Sequence, residues 1–427
     1  MQPYTLNTLN NGIRVLTIPR KDAPSASAMV MVSVGARYGE NEISGIAHFI
    51  EHNVFKGTKS RSQKGQISLE IESLGANCDA ATGHEFTYYY AKSAAKNINK
   101  ILDIVLDISA NMIFPQEDIE IERGNVLEEL RLIQDTPTRR LFKGFHEFAF
   151  DHQSIGRGIA GTEKTIKSIT RDQMLDFVHK GYTCDKILIV IAGDINENEV
   201  EKQVESFYQG VELLKESQIL INEFNEFQTI PRLYVDQMKT EQAHVAIAVR
   251  SFGVSDERKY ALEVANTILG DGMSSRLFKK IREELGLAYY VGSGTWAYKE
   301  TGMWLSYAGV DLKRTKDAII AIKSEMLALT KGDSITDSEM NRAKEYIKGS
   351  TMLGVETSSD LASWYGFQFL LEKEIISPEQ FCERVNAISK QDVTRVVSEL
   401  FREDRLNIGI LGPFNNQVEF NDLLNLS

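Results

Sequence analysis

The sequence predicts an α+β protein of two homologous domains, each a mostly antiparallel sheet with helices packed on one face. Strand and helix patterns of the first half return in the same order in the second half. The halves end on similar strands, DKILIVIAGDI at 185–195 and DRLNIGILGPF at 404–414. Strands that are neighbours in sequence are joined by short turns, which indicates antiparallel pairing. The predicted domains span 1–210 and 233–427, with a linker at 211–232.

Hydrophobic periodicity predicts each element of the first domain. Alternating small and apolar residues indicate strands, whereas apolar residues three or four positions apart indicate helices. A long helix should begin after Pro115 and end before Pro137, because proline disfavours helical geometry in the residue before it. The predicted strands are 12–19, 27–36, two within 77–92 and 186–194, and the predicted helices are 46–55, 64–74, 96–113 and 116–135.

The second half repeats this order. Its first long strand is followed by a helical pair, then by two strands and two amphipathic helices. The predicted strands are 240–252, 288–297, 302–310 and one within 404–414, and the predicted helices are a pair within 258–281, then 313–331 and 335–353.

Composition excludes several classes of protein. The 427 residues include 48 Lys+Arg and 60 Asp+Glu, a net charge of −12, which argues against a nucleic-acid partner. With 42% hydrophobic and 25% charged residues the chain is globular rather than disordered. No stretch approaches the roughly 18 apolar residues that span a bilayer, and no signal peptide is evident. We therefore expect a cytoplasmic protein without a membrane partner.

His48, Glu51 and His52 lie on the helix predicted after the first long strand. Histidines four positions apart project from one side of a helix, so both imidazoles can reach one zinc ion. Glu51 projects toward the same side and can hydrogen-bond a reacting water without binding the metal. The alternative is a surface helix that carries polar residues at this spacing.

A zinc site of this kind needs a third ligand, usually a carboxylate. The predicted helix 116–135 is rich in acids. Glu122 and Glu129 are seven positions apart and lie within about 20° of each other on one face, whereas Glu128 points about 100° away. For most of these acids, a solvated helix face is the simpler explanation.

The chain resembles the pitrilysin/insulinase family of inverted-motif zinc metallopeptidases, and is most similar to its processing-peptidase branch. The runs HFIEHNVFKGT (48–58) and EELRLIQDTP (128–137) carry this resemblance. In the family, the third ligand follows the second histidine by about 76 residues, which corresponds to Glu129. An upstream glutamate, here Glu122, orients a ligand histidine or the water. The resemblance implies one Zn²⁺ per chain, held by His48, His52 and Glu129, with Glu51 as general base.

The family also supplies an arginine and a tyrosine seven residues apart in its second half. Arg282 and Tyr289, within REELGLAY, match this pattern and could stabilise the carbonyl oxygen of a peptide under attack. Without the resemblance, a surface charge and a core aromatic residue are the simpler interpretations.

An edge strand in the family captures extended peptides by backbone pairing, and the corresponding residues here are Asp79, Ala80, Ala81 and Thr82. Two positions depart from the family pattern. Asn53 replaces an apolar residue, often methionine, after the second histidine, and Asp79 replaces an asparagine.

The resemblance implies a zinc endopeptidase that cleaves short or unstructured peptides inside a homodimeric clamshell. Arg282 and Tyr289 of one subunit would then serve the zinc of the other. Two alternatives remain open. The chain could be a non-catalytic structural or assembly subunit of the same fold, or one chain of a heteromeric processing peptidase.

Overall fold

The computed structural model describes residues 4–415 and 417–426. The chain divides into two compact units, and each includes a short segment from the other half of the sequence. The predicted domains 1–210 and 233–427 are continuous in sequence and do not include these exchanged segments. Unit 1 comprises Met1–Leu132, Gln153–Asn222 and Gly354–Leu370, and unit 2 comprises Ile133–His152, Glu223–Leu353 and Leu371–Ser427.

Strands and helices follow in the predicted order. The strands are β1 (Thr5–Thr8), β2 (Arg14–Pro19), β3 (Ser25–Val32), β4 (Asn77–Thr82), β5 (Thr87–Ala94), β6 (Ile187–Gly193), β7 (Arg232–Gln237), β8 (Gln242–Phe252), β9 (Ala288–Ala297), β10 (Thr301–Asp311) and β11 (Leu406–Gly412). The helices are α1 (Ile46–Asn53), α2 (Gln66–Ser73), α3 (Ile98–Ala110), α4 (Gln116–Asp135), α5 (Pro137–Ala149), α6 (Glu163–Ser168), α7 (Arg171–Gly181), α8 (Glu197–Gln209), α9 (Lys259–Leu269), α10 (Thr315–Ala328), α11 (Asp337–Leu353), α12 (Ser358–Leu371), α13 (Pro378–Ala387) and α14 (Lys390–Leu400).

Each unit contains one mixed sheet. The strand order is β1-β2-β6-β3-β5-β4 in unit 1 and β7-β11-β8-β10-β9 in unit 2. The β2–β6 and β7–β11 pairs are parallel, and the other pairs are antiparallel. Apart from β1, the strands of the two sheets correspond one to one. The prediction of an α+β fold with two related domains and mostly antiparallel sheets is confirmed.

Helices lie against both faces of the unit 1 sheet. Alternate residues of β3 belong to the buried core against which α3 packs. On the opposite face, Gly366 of α12 contacts Met31 and Val190 so closely that a side chain there would collide with the Met31 sulfur. In unit 2, Gly409 similarly faces the ring of Phe145 on α5. The sequence predicted helices on one face of each sheet. The structure adds a helix from the other half of the chain, α12 in unit 1 and α5 in unit 2.

Local sequence accounts for the helices that form the site. α1 begins after Gly45, whose φ of 92° favours glycine, and the backbone of Ala160 leaves no room for a side chain there. α4 follows Pro115 directly, and Pro137 occupies the first turn of α5, where its missing N–H is tolerated. The predicted boundaries of 116–135 match α4.

Two features differ from the predicted elements. The predicted pair within 258–281 is α9 followed by a short π-helical segment, Phe278–Glu284. β7 begins at Arg232, inside the predicted linker, and pairs with β11. Its residues are only half-buried, so its hydrophobic pattern is weak.

Candidate active site

Two helices of unit 1 bring three ligand groups together. α1 places His48 and His52 one turn apart, with ring centroids 4.6 Å from each other. Glu129 on α4 approaches both rings, and its Oε2 lies 3.6 Å from the Nε2 of each histidine. One ligand atom from each of the three residues lies within 4.8 Å of the others. Within residues 4–415 and 417–426, this is the one such group of three.

The ionisation of the histidines suits a metal site. Burial lowers the pKa of His48 to about 4, with Glu129 acting against the shift and His52 adding to it. His48 is therefore neutral at pH 7 and keeps a nitrogen lone pair for a cation. The hydrogen bond with Glu129 is the main reason that the pKa of His52 is raised, so metal binding there would displace a proton. Two imidazoles and a carboxylate form a donor set that zinc prefers.

Glu122 orients the His52 ring through a contact with its Nδ1 atom. Its Oε2 lies 3.3 Å from His52 Nδ1, which leaves Nε2 directed toward Glu129. Lys56 Nζ contacts Glu122 Oε1 at 2.7 Å, and the Asn125 side-chain amide donates to Oε2 at 3.1 Å. Burial opposes ionisation of Glu122, but these hydrogen bonds outweigh it and lower its pKa. Glu122 is thus an anionic acceptor that fixes the orientation of the ring.

Lys56 and Asn125 were not predicted as site residues. The distance in sequence between each of them and a predicted site residue could have indicated both. Lys56 follows His52 by four positions, in the 3₁₀ turn directly after α1, and Asn125 follows Glu122 by three on α4. Neighbours at these spacings share a helix face, so both could have been found once the ligands were proposed.

Glu51 is held by the edge of the sheet. The Thr82 hydroxyl donates to Glu51 Oε2 at 2.7 Å. Burial raises the pKa of Glu51, and the hydrogen bond from Thr82 acts against that shift. The carboxylate is fixed beside the ligand group but is not part of it, as a proton-transfer group should be.

The predicted peptide-binding residues 79–82 lie on β4, the last strand of the unit 1 sheet. In the part of the chain that the structure describes, β4 pairs only with β5. Asp79 is exposed, and its carboxylate accepts a hydrogen bond from the Ala80 amide at 2.9 Å. The strand therefore has a free edge, and Thr82 joins that edge to Glu51.

Arg282 and Tyr289 belong to unit 2. Arg282 is exposed on the π-helical segment, and its guanidinium lies 4.9 Å from the centre of the Phe278 ring. Tyr289 is 77% exposed and lies at a bulge, because Ala288 pairs with Val310 while Tyr290 pairs with Gly309. Tyr289 is therefore not the core aromatic residue of the simpler interpretation, whereas the exposed Arg282 agrees with a surface charge as well as with a role in the site.

Asn53, the departure from the family pattern, has a local role. It is fully buried, and its side-chain amide donates to the Phe49 carbonyl at 2.8 Å. The polar residue therefore bonds to the last turn of α1 instead of packing as an apolar residue would.

Comparison with known proteins places the chain in a family. The chain is 32% identical over 409 residues to a zinc protease of Bacillus subtilis, covering 96% of this chain and 98% of the relative. The chain belongs to the insulinase family, peptidase family M16. The family model "Insulinase (Peptidase family M16)" matches residues 14–163, and "Peptidase M16 inactive domain" matches 168–347. These matches and relatives identify it as a metalloprotease.

Other relatives agree with this assignment. The chain is 30% identical over 431 residues to the beta subunit of the mitochondrial-processing peptidase of Dictyostelium discoideum, covering 97% of this chain and 90% of the relative. A protease from Helicobacter pylori shares the fold, with a TM-score of 0.89 at 23% identity over 96% of this chain and 99% of that one. Among the described residues, no helix is both long and apolar enough to cross a membrane.

Proposed function

We propose that this member of the insulinase family is a zinc endopeptidase that cleaves short or unstructured peptides. One Zn²⁺ per chain would be held by His48, His52 and Glu129. The observation that carries the proposal is the convergence of these three ligand atoms from two helices, with Glu51 fixed beside them. When bound, zinc supplies a Lewis acid that polarises the peptide carbonyl and lowers the pKa of a reacting water.

The chain's own residues then move the proton and hold the substrate. Glu51 accepts a proton from the attacking water and passes it to the departing amine. Thr82 keeps the Glu51 carboxylate in place through its hydroxyl. An extended peptide pairs with the free edge of residues 79–82, which brings its backbone next to Glu51.

Arg282 and Tyr289 stabilise the negative charge that develops on the carbonyl oxygen. Each chain has one ligand group in unit 1 and one Arg/Tyr pair in unit 2. We propose a homodimeric clamshell in which the pair of one subunit serves the zinc of the other. Its chamber would admit peptides and reject folded proteins. The cytoplasmic location stays a prediction.

Metal analysis with a quenched-peptide assay tests the zinc site. Glu129→Gln should lose zinc and activity together, and a chelator should inactivate the native enzyme. Glu128→Gln is the matched control on the same helix, because Glu128 is exposed and pairs only with Arg131 among the contacts described. Full zinc content and activity in Glu129→Gln would contradict the assignment.

Mixed dimers test the arrangement across subunits. A Glu51→Gln chain combined with an Arg282→Ala chain should regain one intact site and measurable activity, although each homodimer is inactive. Different affinity tags on the two chains, used in sequence, isolate the mixed species, and size-exclusion mass shows that it is a dimer. A mixed dimer without activity would contradict the trans arrangement and leave the zinc assignment standing.

A non-catalytic role is the second candidate. The second half of the chain matches a domain described as inactive, and one relative is named as a subunit of a larger peptidase. The ligand residues of the first half favour catalysis. A pure, zinc-loaded chain that hydrolyses no peptide alone would favour the structural or heteromeric alternative.

A further inference from the structure

A pocket of about 180 Å³ lies in unit 2, outside the residues assigned above. It opens where β8 and β9 end, beside the first turns of α9. Most of its wall is apolar or aromatic. The main apolar groups are Phe252, Val254, Leu262, Trp296 and Phe381.

Two carboxylates line this apolar pocket, Glu263 and Glu372, and only Glu263 has no ion-pair partner among the described residues. From Tyr260 to Leu269, every residue of α9 except Glu263 is buried. Leu262 and Glu263 follow Lys259 by three and four positions, so all three project to the pocket side of the helix. Lys259 is bound to Glu372 at the rim. The Glu263 carboxylate has no hydrogen bond or ion pair with any residue that the structure describes.

An unpaired acid in such surroundings is unfavourable unless a ligand compensates it. Glu263 is half-buried, and partial burial of a carboxylate costs free energy because less water solvates the charge. Burial raises the pKa of Glu263, and the nearby Asp271 raises it further. Within the pocket, Lys259 offsets only Glu372, so the charge of Glu263 is left to attract a cation. Aromatic rings also bind cations through their faces, so the apolar wall adds to this attraction.

We propose that this pocket binds the ammonium group of an organic amine, with Glu263 as counter-ion and the aromatic wall around the apolar body of the ligand. The volume suits one small group rather than a peptide segment. Either a free amine or the side chain of a lysine could supply this chemistry. The proposal uses none of the zinc-site residues and does not depend on the proposed peptidase activity.

Benzylamine is the direct probe, measured by calorimetry and ligand-observed NMR on the zinc-loaded full chain. Glu263→Gln should weaken benzylamine binding by about tenfold or more, because it removes a charge-assisted hydrogen bond. Benzyl alcohol has the same shape without the charge, and its weaker binding should be the same in both proteins. Glu257→Gln is the matched control, since Glu257 is an exposed acid nearby that does not line this pocket.

A second arm identifies the source of the ammonium group. N-acetyl-lysine amide is titrated in parallel with benzylamine, and the probe that binds more tightly indicates a lysine side chain or a free amine. Val254→Phe should fill the pocket and abolish binding of both probes, while thermal unfolding confirms that the variant is folded. The proposal is overturned if neither probe binds, or if Glu263→Gln binds them as tightly as the native protein.

Discussion

α1 of unit 1 and α9 of unit 2 take corresponding places in two related sheets. Each follows the long strand at the centre of its sheet, β3 or β8, and each precedes the strand at the free edge, β4 or β9. α1 carries His48, Glu51 and His52. The mostly apolar α9 has one acidic residue, Glu263, and no histidine.

This difference shows that the shared topology determines the position of the helix in the fold but not its chemical role. In unit 1, α4 supplies Glu129 to complete the group that α1 begins. In unit 2, α11 lies against α9, but the described residues there form no group that could hold a metal. Unit 2 instead exposes Tyr289 on its edge strand. The duplicated scaffold therefore carries different chemistry in each unit.

The largest expected effect comes from Glu51 in unit 1. Glu51→Gln should reduce kcat by about 10²–10⁴-fold, because the amide cannot accept the proton of the attacking water. Zinc content should not change, because Glu51 bonds to Thr82 and is not in the ligand group. Peptide kinetics and metal analysis on the same sample measure both. Glu72→Gln, at an exposed position on α2, is the control. Loss of zinc from Glu51→Gln would contradict this separation of roles.

Tyr289 in unit 2 should have the next largest effect. If Tyr289 acts as proposed, Tyr289→Phe removes one donor to the developing oxyanion, and kcat/KM should fall by about 10²-fold. Tyr346→Phe serves as the control, because Tyr346 is another exposed tyrosine of unit 2. Unchanged kcat/KM in Tyr289→Phe would remove Tyr289 from the reaction and leave Arg282 as the proposed contribution of unit 2.

Local signals explain what the sequence could predict. The bounds of α4 follow from Pro115 and Pro137, because proline acts on its immediate neighbours. The spacing of His48 and His52 follows from the period of one helix. Assigning Glu129 rather than Glu122 as third ligand needed the family resemblance, because both lie on the same face of α4.

Long-range packing explains what the sequence could not predict. α12 packs on the unit 1 sheet and α5 on the unit 2 sheet, yet each lies in the other half of the chain. The hydrophobic patterns of α12 and α5 predict an apolar face on each helix but do not indicate which sheet that face covers. Glu263 illustrates the same limit. Its sequence context shows one acid in an apolar helix, but only the fold places it beside Trp296 and Phe381.

Stability against pH should also distinguish the units. Burial lowers the pKa of His84 in unit 1 to about 4, from its ordinary value of 6.5. Between these values the unfolded chain binds a proton that the folded chain does not. His84 should therefore contribute a loss of folding stability as the pH falls from about 6.5 to 4, of at most about 3 kcal/mol.

Urea unfolding at several pH values measures this slope. His84→Asn should reduce the slope between pH 6.5 and 4, whatever its absolute stability, and the contribution of His48 should remain. His179→Asn replaces an exposed histidine on α7 and should leave the slope unchanged. Equal slopes for the native protein and His84→Asn would show that another group causes the sensitivity to acid.

Glu263 in unit 2 should give the smallest effect, with the opposite sign. Its raised pKa means that the folded chain holds a proton that the unfolded chain releases, so its contribution to stability is lost as the pH rises above about 4.5. Glu263→Gln should therefore increase the free energy of unfolding more at pH 8 than at pH 5. Glu257→Gln should show no such trend. If Glu263→Gln instead destabilises the ligand-free protein at pH 8, the carboxylate has a stabilising partner in the folded state, and the pocket is not a vacant cation site.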